Sequence, residues 1–301
     1  MPVIGVLEPI ADSAFAHLRR HAAVLPPPAA GWQEQADAII VRAAPVDGDA
    51  IRTAKRLKVI GKHGVGTDTI DLAAAAERGI RVLNTPAANA DAVAELTIGL
   101  ALSVLRSIAW HDRGVRTGLE SPAPRVGREL KGARLGLIGL GTIGQRVAHL
   151  ACHGFGAVIR AYDPFVTSPP PSLPIAMAGD LAALCREADI LSVHVPLTPA
   201  TRGLVDAELL STLPEGAVVI NTGRGGVVDE AALLAALRKG RIAGAGLDVF
   251  EDEPPAPGLA LLEHPNVVAT PHIGASTAEA LERMGHSVAE QVLDALGIPQ
   301  R

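Results

Sequence analysis

The chain has 301 residues, 48% hydrophobic and 20% charged, which is material for two domains of ordinary size. A net charge of −5 with no long Lys/Arg run argues against a nucleic-acid partner. Two cysteines, Cys152 and Cys185, exclude a disulfide framework and suit a reducing compartment.

No charged-then-apolar leader opens the chain, so a signal peptide is not expected. The longest uncharged apolar helical run, residues 96–105, is too short to span a bilayer. A cytoplasmic protein without membrane partners is therefore expected. In chain order, residues 3–7 are predicted as a strand, with Asp12 and Ser13 capping a helix that ends near Arg20. Residues 26–28 are a proline loop, residues 38–41 a strand, and residues 47–57 a helix with an Asp start. A strand over residues 57–60 enters a glycine loop. Residues 71–79 then read as a helix with an Asp cap and a C′ glycine, followed by a strand over residues 80–83. This alternation implies a parallel sheet covered on both faces.

Residues 89–111 are predicted as one long helix and residues 114–132, with Pro122 and Pro124, as a loop. The apolar run 135–138 then meets Gly139, Gly141 and Gly144 at G-x-G-x-x-G spacing, and a helical pattern with Val147, Leu150 and Ala151 follows. Strand, glycine turn and helix together form a dinucleotide fingerprint. Gly139 makes the tight turn, Gly141 admits a pyrophosphate, and Gly144 lets helix and strand pack closely. A second strand over residues 157–163 ends in Asp163, placed to bind an adenosine ribose and to repel a 2′-phosphate, which favours NAD over NADP.

Further strands are predicted over residues 188–195, 217–221, 244–249 and 267–270, with a capped helix over residues 229–239. Pro169 to Pro171 marks a surface loop, and Ser276 to Glu279 is a capping box that starts a helix to about Leu296. The expected architecture is α/β, with two Rossmann/flavodoxin-like doubly wound parallel-sheet domains separated by a cleft. Residues 1–92 with 279–301 form the substrate-binding domain, and residues 93–278 form the NAD-binding domain.

A nicotinamide site also needs a carboxylate binder, a proton donor and a group that tunes the donor. Arg224, in Asn-Thr-Gly-Arg-Gly-Gly after the strand ending at Asn221, offers a guanidinium fork. His272, in Thr-Pro-His-Ile-Gly-Ala-Ser-Thr after the last strand, suits reversible proton transfer. A carboxylate from Glu251, Asp252 or Glu253 would stabilise its imidazolium, and spacing does not choose among the three. In the first half, the backbone of Gly64, Val65 and Gly66 can form an anion nest, and Asn84, Thr85 and Asn89 face the same cleft under this topology. Equally, these are ordinary turn and cap residues. No metal site is expected.

Gly-Leu-Gly-Thr-Ile-Gly, Asp163, Asn-Thr-Gly-Arg-Gly, Leu-Asp-Val-Phe-x-x-Glu-Pro and Pro-His-Ile-Gly-Ala-Ser-Thr stand here in the order seen in D-isomer-specific 2-hydroxyacid dehydrogenases. The chain resembles that family over nearly its whole length, and the His-Ile-Gly-Ala-Ser-Thr segment resembles the phosphoglycerate dehydrogenase branch. The resemblance implies that Arg224, Glu253 and His272 are the catalytic set. It further implies that Thr85, Thr142, Ile143, Val195, Thr222, Gly223, Asp248 and Gly274 join Gly139, Gly141, Gly144, Asp163, Arg224 and His272 at the cofactor. Lys62, Gly64, Val65 and Gly66, with Arg224 and His272, would hold the substrate, and a homodimer through the nucleotide domain and the long helix before it is implied.

The chain departs from that branch in three places. It stops at Arg301, so serine feedback through a C-terminal regulatory domain is not expected. Lys62-His63 replaces the usual Arg before the glycine loop, keeping a charge but losing the fork. Leu119 stands where Trp is common. The function implied is hydride transfer between NAD(H) and C2 of a small 2-hydroxy or 2-oxo acid, 3-phosphoglycerate dehydrogenase-like. Glyoxylate or hydroxypyruvate reduction is the alternative, and a non-catalytic NAD(H)-sensing binding protein the rival of another class.

Overall fold

The computed structural model describes residues 1–118 and 125–300. They divide into two compact α/β units, one of residues 1–90 with 275–301 and one of residues 91–274, each built on a parallel sheet as the alternation predicts. Pro122, Pro124, Leu119 and Arg301 lie outside the described residues.

In the first unit, β1 (Val3–Val6), α1 (Asp12–His21), β2 (Ala23–Leu25), α2 (Trp32–Gln35), β3 (Ala38–Val41), α3 (Gly48–Thr53), β4 (Val59–Lys62), α4 (Leu72–Glu77) and β5 (Arg81–Leu83) follow in order. The strands pair in the order β2-β1-β3-β4-β5, all parallel. Successive residues of the fully buried β3 face opposite layers. Ala38 and Ile40 pack with Ile4, Val6 and Leu18 and with Val288 and Val292 of the helix Ala278–Ala295. Ile39 and Val41 pack with Ile60, Trp32, Ile51 and Ala74 on the other side. Each of the Val, Leu and Ile side chains among them contributes roughly 1.5–3 kcal/mol when buried. Gly61 admits that last helix, since a Cβ there would stand 2.6 Å from Val292 and 2.7 Å from Val288.

The second unit runs α5 (Ala90–Leu105), α6 (Ile108–Thr117), β6 (Arg134–Ile138), α7 (Thr142–His149), β7 (Val158–Tyr162), β8 (Ile175–Met177), α8 (Leu181–Arg186), β9 (Ile190–Val193), α9 (Ala207–Thr212), β10 (Ala217–Asn221), α10 (Glu230–Arg238), β11 (Ile242–Leu247) and β12 (Val267–Ala269). The helix Ala278–Ala295, already met in the first unit, is α11. The order β12-β11-β10-β9-β6-β7-β8 reverses between β6 and β9, and open parallel sheets bind ligands outside the strand ends at such a point. No single helix among the described residues is long and apolar enough to cross a membrane.

Several local expectations need correction. The long helix over residues 89–111 is two helices bent by 63°, because Ser107 takes a left-handed φ of 49° between them. Residues 114–117, expected as loop, complete α6. Neither Asp12 nor Ser13 caps α1; its N-cap is Ala11, and Ser13 instead bonds Glu282 and His286. Thr277 rather than Ser276 caps α11, accepting the Ala280 N–H at 3.1 Å. The strand expected over residues 57–60 is Val59–Lys62, because the Leu57 N–H still bonds Ala54 at the end of the preceding helix. That shift draws Lys62 into the sheet.

Candidate active site

The glycine loop leaves β6 at the switch point. Gly139 has a φ of +93°, and a Cβ there would meet the His194 carbonyl and the Val195 side chain at 2.8 Å. At Gly144 a Cβ would stand 2.4 Å from the Gly139 carbonyl, so α7 packs onto the loop only because no side chain intervenes. At Gly141 an added Cβ meets nothing within 4 Å, so the backbone there is bare, and α7 starts at Thr142 and Ile143 directly behind it. Asp163 follows β7. Its Oδ2 accepts the Leu140 N–H at 2.9 Å and its Oδ1 the Phe165 N–H at 2.9 Å, leaving lone pairs on both oxygens for ribose hydroxyls. This bare loop, helix N-terminus and anchored acid fit a dinucleotide without a 2′-phosphate.

A pair beneath the loop, the buried Ser192 and the half-buried His194, escaped sequence reasoning. The His194 ring nitrogen Nε2 lies 2.8 Å from Ser192 Oγ, and burial pushes His194 down to about 4, so a neutral imidazole underlies the phosphate-binding turn. Its only sequence signal is a polar pair at the end of an apolar strand.

The loop after β10 carries Arg224. Asn221 ties it at both ends, its Oδ1 accepting the Gly223 N–H at 3.1 Å and its Nδ2 donating to the Arg224 carbonyl at 3.0 Å. The buried Thr222 hydroxyl lies 2.8 Å from that of Thr97, and Arg224 Nη1 donates to the Gly223 carbonyl at 2.7 Å.

His272 follows β12 with a left-handed φ of 51°. Asp248, at the end of β11 and 1% exposed, organises this turn. Its carboxylate accepts the Thr270 hydroxyl at 2.6 Å and the Ile273 and Gly274 N–H groups at 2.8 Å, while its carbonyl accepts the His272 N–H at 2.8 Å. A Cβ at Gly274 would stand 3.0 Å from that carboxylate, so glycine allows the approach.

Of the three consecutive acids, Glu253 is the one beside the imidazole, with Oε2 2.7 Å from His272 Nδ1. Its Oε1 accepts the Phe250 N–H at 3.1 Å. Burial pushes this carboxyl up, but the His272 and Phe250 hydrogen bonds and the charges of His272 and Arg224 hold it below the usual carboxylate value. Glu251 lies 3.9 Å from Arg202, and its N–H bonds Glu230. Occupying Nδ1 in this way leaves Nε2 of His272 as the ring atom available for proton transfer.

In the first unit, the Lys62 ammonium turns inward to the Arg42 carbonyl at 2.5 Å and the Thr69 hydroxyl at 3.0 Å. The Gly64 N–H is committed to the Lys62 carbonyl at 3.0 Å and to Thr85 Oγ1 at 3.1 Å, so it is not spare for the anion nest expected of this loop. Thr85 is fully buried, and its hydroxyl serves that loop. Asn84 donates to the Val65 carbonyl at 2.8 Å.

Residues 98–274 match the family described as D-isomer specific 2-hydroxyacid dehydrogenase, NAD binding domain. The chain is 46% identical over 267 residues to a hydroxypyruvate reductase of Thermotoga maritima, covering 88% of this chain and 86% of that protein. It is 44% identical over 261 residues to a D-3-phosphoglycerate dehydrogenase of Methanocaldococcus jannaschii, covering 86% of this chain but only 49% of that protein, about half its length. A D-lactate dehydrogenase from Aquifex aeolicus, solved with NAD and lactic acid, superposes with a TM-score of 0.85 at 30% identity, over 98% of this chain and 96% of that one. The chain belongs to the D-isomer specific 2-hydroxyacid dehydrogenases, and its second unit carries their NAD-binding domain.

Proposed function

We propose that the chain is an NAD-dependent oxidoreductase that interconverts a small 2-oxo acid and its (R)-2-hydroxy acid. The observation that carries this reading is the 2.7 Å contact between Glu253 and His272, in the unit that also holds the glycine loop and Arg224. When bound, NAD(H) supplies or accepts the hydride at nicotinamide C4.

The chain's own residues do the rest. Arg224 binds the substrate carboxylate through its fork and steadies charge developing on the C2 oxygen. Nε2 of His272 donates a proton to that oxygen during reduction and takes it back during oxidation. Glu253 fixes the ring through Nδ1 and stabilises the imidazolium. The bare backbone of Gly139, Gly141 and Gly144, with Thr142 and Ile143, receives the pyrophosphate, and Asp163 the adenosine ribose. Val195, Thr222, Gly223 and Gly274 line the cofactor, while Asp248 and Thr85 act through the loops they hold. Residues 1–92 with 279–301 receive the substrate, where Lys62, Gly64, Val65 and Gly66 shape the loop.

A homodimer through the second unit fits the exposed Ile108, Val115 and Val126 on and after α6, and a cytoplasmic location fits the cysteine usage. The test is a spectrophotometric panel of 2-oxo and (R)-2-hydroxy acids with NADH, NADPH, NAD and NADP. Turnover with the non-phosphorylated dinucleotide is expected. Tight NADH binding without turnover of any acid would favour a sensing protein instead.

A further inference from the structure

Glu253 meets His272 only while the turn after β11 keeps a fixed spacing and angle. The Phe250 side chain is 4% exposed and belongs to the same apolar cluster as Val227, Val228 and Leu233. Its carbonyl lies directly against the Gly225 backbone, where a Cβ would have no room. That backbone contact sets a spacing, and the angle of the turn about it needs a second tie. Glu230 supplies one, its Oε1 accepting the Glu251 N–H at 2.6 Å. Glu230 opens α10 on the segment that follows Arg224, and Glu251 stands two residues before the acid that touches the imidazole.

The start of α10 does not need this carboxylate as a cap, because Asp229 already accepts the Ala232 N–H at 2.9 Å. Glu230 is half-buried, and its surroundings oppose its charge. Burial pushes its carboxyl above the usual value and the charges of Glu251, Asp252 and Asp229 push it the same way, while the Glu251 N–H acts against them. The Glu251 side chain does not hold the turn instead. It is 61% exposed and 3.9 Å from an exposed Arg202, a pairing of little worth. What the Glu230 carboxylate achieves in this unfavourable place is a grip on one backbone N–H, and bonds to an ionised acceptor are roughly twice as strong as neutral ones.

We infer that Glu230 is a positioning residue for the proton transfer: by holding the Glu251 N–H it sets the angle at which Glu253 reaches Nδ1 of His272. This rests on the dehydrogenase reading above. Glu230 acts through Glu253 and not on the reacting atoms, and it acts as a hydrogen-bond acceptor rather than as a charge.

The experiment offers glyoxylate, pyruvate, hydroxypyruvate and 3-phosphohydroxypyruvate with NADH to the native enzyme. It then follows kcat against pH, for the acid turned over fastest, in native enzyme, Glu230→Ala and Glu230→Gln. Alanine removes the acceptor, and kcat is expected to fall about tenfold, short of the ~10²-fold that a misplacement of about 1 Å can cause. The alkaline fall in rate is expected to move to lower pH by about one unit, because the imidazolium loses part of the carboxylate that favours it. Glutamine keeps a carbonyl acceptor without the charge and is expected to restore both the rate and the alkaline limit. An unmoved alkaline limit in folded Glu230→Ala, whatever its kcat, overturns the inference and leaves the dehydrogenase reading standing. A glutamine variant that behaves like the alanine one overturns it too, since the charge and not the hold on the turn would then be at work. No turnover of any of the four acids by the native enzyme removes the dehydrogenase reading and the inference with it.

Discussion

Gly225 lies so close to Phe250 that a methyl group on its Cα would stand 1.6 Å from the Phe250 carbonyl oxygen. The loop that carries Arg224 and the turn that carries Glu253 are thus packed backbone against backbone. That contact sets the spacing of the two segments that carry the guanidinium and the carboxylate. Gly225→Ala is expected to force the two segments apart and lower kcat on the order of 10²-fold, the cost of a misplacement of about 1 Å. Steady-state kinetics on the folded variant check this; wild-type turnover would show that the contact does not set the site.

Asp248 holds the His272 turn from inside. Its carboxylate takes three donors and is almost without solvent. Asp248→Asn turns an amide toward one of those donors, which leaves a buried N–H or O–H unpaired at a cost of about 1–3 kcal/mol. Urea unfolding is expected to show that loss, and kcat is expected to fall with it, because His272 keeps its left-handed backbone only while the turn is held. Unfolding and turnover both unchanged would mean the turn is held by other contacts.

The Glu253 carboxyl is held below its ordinary value, so its pairing adds stability above the unfolded-state value. That stability is lost as pH falls through the folded value. Glu253→Gln removes the charge that favours imidazolium. The alkaline fall in the rate of 2-oxo acid reduction is then expected at lower pH than in the native enzyme. The acid fall in the rate of hydroxy acid oxidation is expected to move in the same direction. Superimposable pH profiles of the two proteins would remove Glu253 from the proton-transfer step.

How much of this could be read in advance follows from how local each signal is. Gly139, Gly141 and Gly144 declare themselves because their constraints arise within a few residues of one turn, and Asp47, Asp71 and Asp229 cap helices through N–H groups three residues on. β2 and β8 went unseen because each is an edge strand of only three apolar residues, Ala23–Leu25 and Ile175–Met177, too short a run to set a strand apart from a loop. The work of Asp248 was equally hidden, since its donors lie 22 to 26 residues further along the chain. Glu253 stood out from Glu251 and Asp252 only through the family resemblance, because its bond to His272 spans 19 residues. The inward turn of Lys62 depended on where β4 begins, and a two-residue shift preserves the strand's apolar faces while moving a loop lysine into the sheet.

The most direct test of the whole account is turnover by His272→Ala, measured beside its NADH affinity. Loss of kcat by ~10²–10⁴-fold with NADH still bound is the predicted result for a proton donor. Turnover within a few fold of the native enzyme would contradict it.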